Sequence, residues 1–169
     1  MVERMLEISD PQEQEQLWQF YDEVFRPINE ETPISQTFPK GDFLNFLASP
    51  RVVKFIIRGK TGQIVGLGMV TDEPWLDPLV SRPYFEKHFP DVPLRYIMAL
   101  AVAPGFRGIA VATNLLREMI NEVPENGIGF FLHSKEVNPF IPRLAQIAER
   151  GKIRPVIGAE VLVGYCWRR

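Results

Sequence analysis

Leu94-Arg95-Tyr96-Ile97-Met98-Ala99-Leu100-Ala101-Val102-Ala103-Pro104-Gly105-Phe106-Arg107-Gly108-Ile109-Ala110-Val111-Ala112-Thr113-Asn114-Leu115-Leu116 is the stretch that decides the architecture. From Tyr96 to Val102 it is almost wholly apolar, as a strand covered on both faces must be, and Pro104-Gly105 ends it. Leu115, Leu116, Met119 and Ile120 then recur at helical spacing, so a helix starts near Gly108 or Ile109. The first turn of a helix presents unpaired N–H groups and the positive end of the dipole. Here Gly108, Ala110 and Ala112 leave room for a phosphate to approach, Arg107 adds a charge, and no acid occurs between Arg95 and Arg117. The plainer alternative is a strand-to-helix connection kept small for close packing.

The chain has 169 residues, 46% of them hydrophobic, which suits one domain with a sizeable core, spanning 1–169. A net charge of −2 argues against a nucleic-acid partner held by phosphate neutralisation. Cys166 is the lone cysteine, so an internal disulfide is excluded and a cytoplasmic setting is expected. No apolar run is long enough for a membrane, and no metal site is expected. A homodimer is left open.

In order, Met5 to Ile8 reads as a short strand, and Ser9-Asp10-Pro11 opens a helix that runs to about Phe25 and is closed by Pro27. A looser segment from Asn29 to Lys40 precedes a short helix with Phe43, Leu44, Phe46 and Leu47. Val52–Arg58 and Gln63–Thr71 form a hairpin across Gly59-Lys60-Thr61-Gly62, with Gly66 and Gly68 marking close packing or a bulge. About twenty residues, Pro74 to Pro93, follow with Trp75, Tyr84, Phe85 and Phe89, and Ser81 opens a short helix through Lys87. This segment is either a packed surface cover or a substrate lid. A buried strand at Ile128–Ser134, a helix from Asn138-Pro139 to Gly151, and strands at Arg154–Gly158 and Val161–Trp167 complete the order.

Val102-Ala103-Pro104-Gly105-Phe106-Arg107-Gly108-Ile109-Ala110-Val111-Ala112 resembles the acetyl-CoA-binding signature of the GCN5-related N-acetyltransferases (GNAT): Val-x-Pro, an aromatic, then Arg-Gly-x-Gly-x-Gly/Ala and a Leu-Leu helix. The resemblance implies an α/β fold with a mixed central sheet flanked by helices. It implies acetyl-CoA as cofactor, with Arg107, Gly108, Ile109, Ala110, Val111, Ala112 and Thr113 holding the pyrophosphate and Ala101 and Val102 meeting the pantetheine arm. Asn138 stands where the family binds cofactor, although a helix cap accounts for it equally. The implied function is acetyl transfer to a primary amine of a small molecule or peptide, or cofactor sensing without catalysis on the same fold. A purely structural domain would require the 104–112 loop to bind nothing.

Several positions depart from the family pattern. Ala110 stands where glycine is usual, which costs little in a helix but about 1–2 kcal/mol at positive φ. No tyrosine lies between Asn138 and Gly151, and Met98 or Ala99 replaces the glutamate often found on the fourth strand. Amine acetylation still needs a proton acceptor. His133, with an ordinary value near 6.5, and Glu73, acting through a water, are the catalytic candidates, against a packed histidine and a solvated loop charge. Asp72 is an equal of Glu73, and His88 is weaker.

Overall fold

The computed structural model describes residues 1–31, 37–106, 109–134, 154–158 and 162–168. Its elements are β1 (Val2–Met5), α1 (Pro11–Glu31), α2 (Lys40–Ala48), β2 (Val52–Arg58), β3 (Ile64–Thr71), α3 (Arg82–His88), β4 (Leu94–Val102), α4 (Ile109–Asn121), β5 (Ile128–Ser134), β6 (Arg154–Gly158) and β7 (Leu162–Arg168). The strands make one seven-stranded sheet in the order β1-β2-β3-β4-β5-β7-β6. Only β4 and β5 pair in parallel, so the sheet is mixed, as the sequence implies. The helix from Asn138 to Gly151 falls outside the described residues.

The strands β2, β3 and β4 are buried on both faces, which explains their near-continuous apolar runs. On one face, Leu17 and Tyr21 of α1 and Phe43 and Leu47 of α2 pack with Leu67, Tyr96 and Phe130. On the other, Leu115, Leu116, Met119 and Ile120 of α4 cover Phe55, Val70 and Ile97. Gly66 and Gly68 let α4 sit close on β3. A Cβ at Gly68 would lie 2.7 Å from Met119 Sδ, and one at Gly66 would lie 3.0 Å from Leu115 Cδ1. Both sequence readings of these glycines are realised: α4 packs closely on them, and the register with β2 slips beside Gly66, where Val65 is an extra residue.

Two boundaries differ from the sequence reading. The first strand is Val2–Met5, not Met5–Ile8, because pairing with β2 is set by Val2 opposite Ile57 and Met5 opposite Lys54. Ile8 leaves the sheet and fills the core, its N–H bonded to Leu47 O at 2.9 Å. Helix α1 continues through Pro27 to Glu31. Proline removes the bond to the carbonyl four residues earlier, and both Glu23 and Pro27 are solvent-exposed, so the break lies on the water side of the helix. The start is as read: Asp10 Oδ1 accepts from Gln12 N–H at 3.1 Å.

One charged group is buried in this framework. Lys54 on β2 is 0% exposed. Its Nζ donates to Leu6 O at 2.7 Å and Ser49 O at 2.8 Å, tying the exit of β1 to the exit of α2. Burial lowers the ammonium from 10.5 to about 8, against a smaller opposing pull from Glu7. A lysine lowered in the folded state penalises folding fully below its folded value and less as pH climbs towards the unfolded one. In urea unfolding, wild type should therefore gain about 2 kcal/mol relative to Lys54→Met between pH 7 and pH 10. Parallel pH profiles for the two proteins would contradict the burial of this charge.

Candidate active site

The site is built on a parting of strands. β4 and β5 pair from Leu94 opposite Ile128 to Ile97 opposite Phe131. Beyond that point β4 stays with β3 as far as Val102 opposite Gly66, while β5 follows β7 to Ser134 opposite Leu162. The edge of β4 from Met98 to Val102 that faces β5 is left without a ladder partner among the described residues.

A bulge sits at the vertex of this wedge. Ala99 pairs with Met69 and Ile97 with Val70, so Met98 is an extra residue on β4. A bulge turns its backbone groups out of the ladder. It also breaks the alternation of side chains: Tyr96, Met98, Ala99 and Ala101 all belong to the cluster under α1 and α2, and Ile97, Leu100 and Val102 to the cluster under α4.

Across the second face, α4 begins at Ile109, and its first turn holds no acid. Ala110 is exposed and helical, so the methyl that replaces glycine there costs little. Ala112 is buried in the cluster beneath α4, and its small size serves packing. Val111 is half-buried against the same cluster. Thr113 is 6% exposed, and its Oγ1 has no hydrogen-bond partner among the described residues. An unmade bond of this kind costs about 1–3 kcal/mol, so a ligand that supplies the partner recovers it. Free helix N–H groups, the orphan hydroxyl and an open strand edge fit a ligand that carries both an anion and amides, as coenzyme A does.

The remaining sequence candidates fall as follows. Ala101 and Val102 lie on the open part of β4. Arg107, Gly108 and Asn138 lie outside the described residues. His133 lies on β5 two residues beyond the last pair with β4, opposite Val163 of β7. Glu73 forms an ion pair with Arg51 at 3.1 Å, just past Thr71, which is opposite Tyr96. Asp72 lies 3.9 Å from Arg95, and the ring of His88 packs on Tyr84 with centroids 4.5 Å apart.

Residues 74–93 are packed onto the α1–α2 face. Val80 and Phe85 are buried, and Phe85 stacks on Phe130 at 4.4 Å, which stacks in turn with Tyr96 at 5.0 Å. Ser81 stands at the start of α3, but its side chain makes no cap bond. Two features escaped the sequence reading. Nothing in the residue type of Met98 announces a bulge. Asp77, buried and bonded to the Tyr96 hydroxyl, carries only the turn signal of Asp77-Pro78.

The model of the acetyltransferase (GNAT) family matches residues 13–143. The chain belongs to this family. Among solved structures it is similar to the diaminobutyrate acetyltransferase EctA of Paenibacillus lautus, in complex with L-2,4-diaminobutyric acid and coenzyme A. Identity is 13%, the TM-score is 0.62, and 99% of this chain and 95% of that one are covered. It is also similar to the N-acetyltransferase PseH of Campylobacter jejuni, in complex with acetyl coenzyme A, at 13% identity and TM-score 0.58, with coverage of 100% and 99%. An aminoglycoside acetyltransferase from an uncultured soil metagenomic sample, in complex with sisomicin, matches at 18% identity and TM-score 0.57, covering 94% of this chain and 93% of its own. At these identities the likeness is one of fold. No curated protein sequence matches significantly.

Family membership makes acetyl transfer the general chemistry. Among the described residues, no helix is long and apolar enough to cross a membrane. The orphan hydroxyl gives a test in the free protein. Thr113→Val, which swaps the unpaired group for a methyl of similar shape, should raise urea-unfolding stability by about 1 kcal/mol. A loss of that size instead would show that the hydroxyl has a partner.

Proposed function

We propose that this protein transfers the acetyl group of acetyl-CoA to a primary amine of a small molecule or peptide. The observation that carries this reading is the β4–β5 wedge with its bulge at Met98, set beside the first turn of α4 and the unpartnered Thr113 hydroxyl. The free first-turn N–H groups of α4 at Ile109, Ala110 and Val111, with Arg107 and Gly108 before them, would hold the pyrophosphate. The open edge at Ala101 and Val102 would pair with the pantetheine amides as a strand would, and Asn138 would add a contact beyond β5.

When bound, acetyl-CoA supplies an acetyl group activated as a thioester. The chain's task is then to place an amine against that carbonyl and to handle charge. Backbone N–H groups freed at the Met98 bulge would donate to the carbonyl oxygen as negative charge develops there, and being fixed in the sheet they need no reorganisation. The amine would arrive from the α1–α2 face, opposite α4. Its proton would pass to water, because His133, on the parted end of β5, is at a register position in phase with Phe131 of the α4 face. Glu73 is engaged by Arg51 at the other end of the β3–β4 pair and would act only through a water.

A second reading, binding of CoA without transfer, is favoured by one observation: the bulge carries the apolar Met98 in place of an acid. Turnover separates the two. For the cofactor site itself, Ala110→Asp is the informative variant, because Ala110 is exposed at the start of α4 and a carboxylate there suits the helix dipole. Calorimetry should show CoA affinity falling by about tenfold or more, while unfolding stability stays within about 0.5 kcal/mol. Undiminished CoA binding in this variant would place the anion elsewhere.

A further inference from the structure

Gly66 and Gly68 lie on the face of β3 that meets α4, and neither needs glycine for its backbone: among the described glycines only Gly62 has a positive φ. Room is what each provides, but the atoms that take up the room differ in kind. A Cβ at Gly68 would meet Met119 Sδ at 2.7 Å, towards the far end of an unbranched side chain well along α4, and that side chain can swing aside. A Cβ at Gly66 would meet Val111 Cγ1 and Leu115 Cδ1, each at 3.0 Å. Val111 is in the first turn of α4. A β-branched side chain in a helix is held to one rotamer, so its methyl cannot turn away unless the helix start moves with it.

Gly66 also touches the other half of the site. It stands opposite Val102 in the β3–β4 ladder, at the end of the open β4 edge. Val102 and Val111 are both half-buried against the cluster under α4. Just before Gly66 the register with β2 slips, and Val65 O accepts from Ala103 N–H at 3.0 Å, which holds the exit of β4 at this level. Gly66 therefore lies under the helix turn that offers free N–H groups and beside the strand edge that offers unpaired backbone groups. Its missing side chain sets how far the two stand apart.

We propose that Gly66 is a positioning residue for the cofactor: it fixes the spacing between the first turn of α4 and the open edge of β4, and so selects a ligand whose diphosphate and amides are that far apart. The inference rests on the CoA reading for the identity of the ligand. A side chain at Gly66 lifts the turn from the edge. Each half of the ligand then keeps its own contacts, but the linked molecule cannot make both sets at once.

The test is calorimetry on the full chain with CoA and with adenosine 3′-phosphate 5′-diphosphate, which is CoA without its pantetheine arm. Wild type should bind CoA more tightly than the nucleotide. Gly66→Ala should weaken CoA about fivefold and Gly66→Val about fiftyfold, with nucleotide affinity within about twofold of wild type in both. Gly68→Ala, although its methyl meets the closer atom, should bind both ligands as wild type does. Adding Val111→Ala to Gly66→Ala should restore CoA affinity, a rescue that removes the blocking methyls and that general damage to the site would not show. Should the valine variant fail to fold, the alanine variant and its rescue decide. Unchanged CoA affinity in Gly66→Ala, an equal loss of both ligands there, or an equal loss in Gly68→Ala would overturn the proposal. So would a wild type that binds CoA no more tightly than the nucleotide. A wild type that binds neither ligand would refute the CoA reading itself, and the proposal with it.

Discussion

Everything in the site depends on where the parallel pairing of β4 and β5 stops. Had the ladder continued beyond Ile97 and Phe131, the β4 edge would be saturated and nothing could lie between the strands. Each strand instead has a stronger commitment elsewhere, β4 to β3 through Val102 and β5 to β7 through Ser134. Antiparallel partners on the outer sides pull the two apart, and the extra residue at Met98 bends β4 at the vertex. Close docking of α4 over Gly66 and Gly68 then fixes the helix start relative to that opening.

The wedge divides the labour between the two faces of the sheet. The α4 face is poor in acids near the helix start and holds an unpartnered hydroxyl, features suited to an anionic ligand. The α1–α2 face is aromatic and holds the buried Asp77 carboxylate, bonded to the Tyr96 hydroxyl and the Leu79 N–H. One sheet carries both, with α4 packed on one face and α1, α2 and residues 74–93 on the other.

Much of this was readable from the residues themselves. The apolar run at Tyr96–Val102, the helical spacing after Ile109 and the paired glycines of β3 each reflect burial, which sequence periodicity reports well. Boundaries set by distant partners were not readable. The position of β1 depends on its register with β2, and the passage of α1 through Pro27 depends on which carbonyl faces water. The Met98 bulge arises from pairing with β3, and Asp77 owes its environment to Tyr96, nineteen positions away by sequence. Among the exposed acids, Glu73 was singled out by position along the chain. Its ion pair with Arg51 is a fact of the fold. Arg107, Gly108 and Asn138 carry the family's motif but fall outside the described residues, so their roles stand on sequence.

The most direct measurement of the central claim is amide hydrogen exchange with and without acetyl-CoA. If the cofactor lies in the wedge, protection should rise at the backbone N–H groups between Met98 and Val102 and in the first turn of α4 from Ile109 to Thr113, with β1 and β2 unaffected. Tight binding that leaves both of these segments at their unliganded exchange rates would contradict the account.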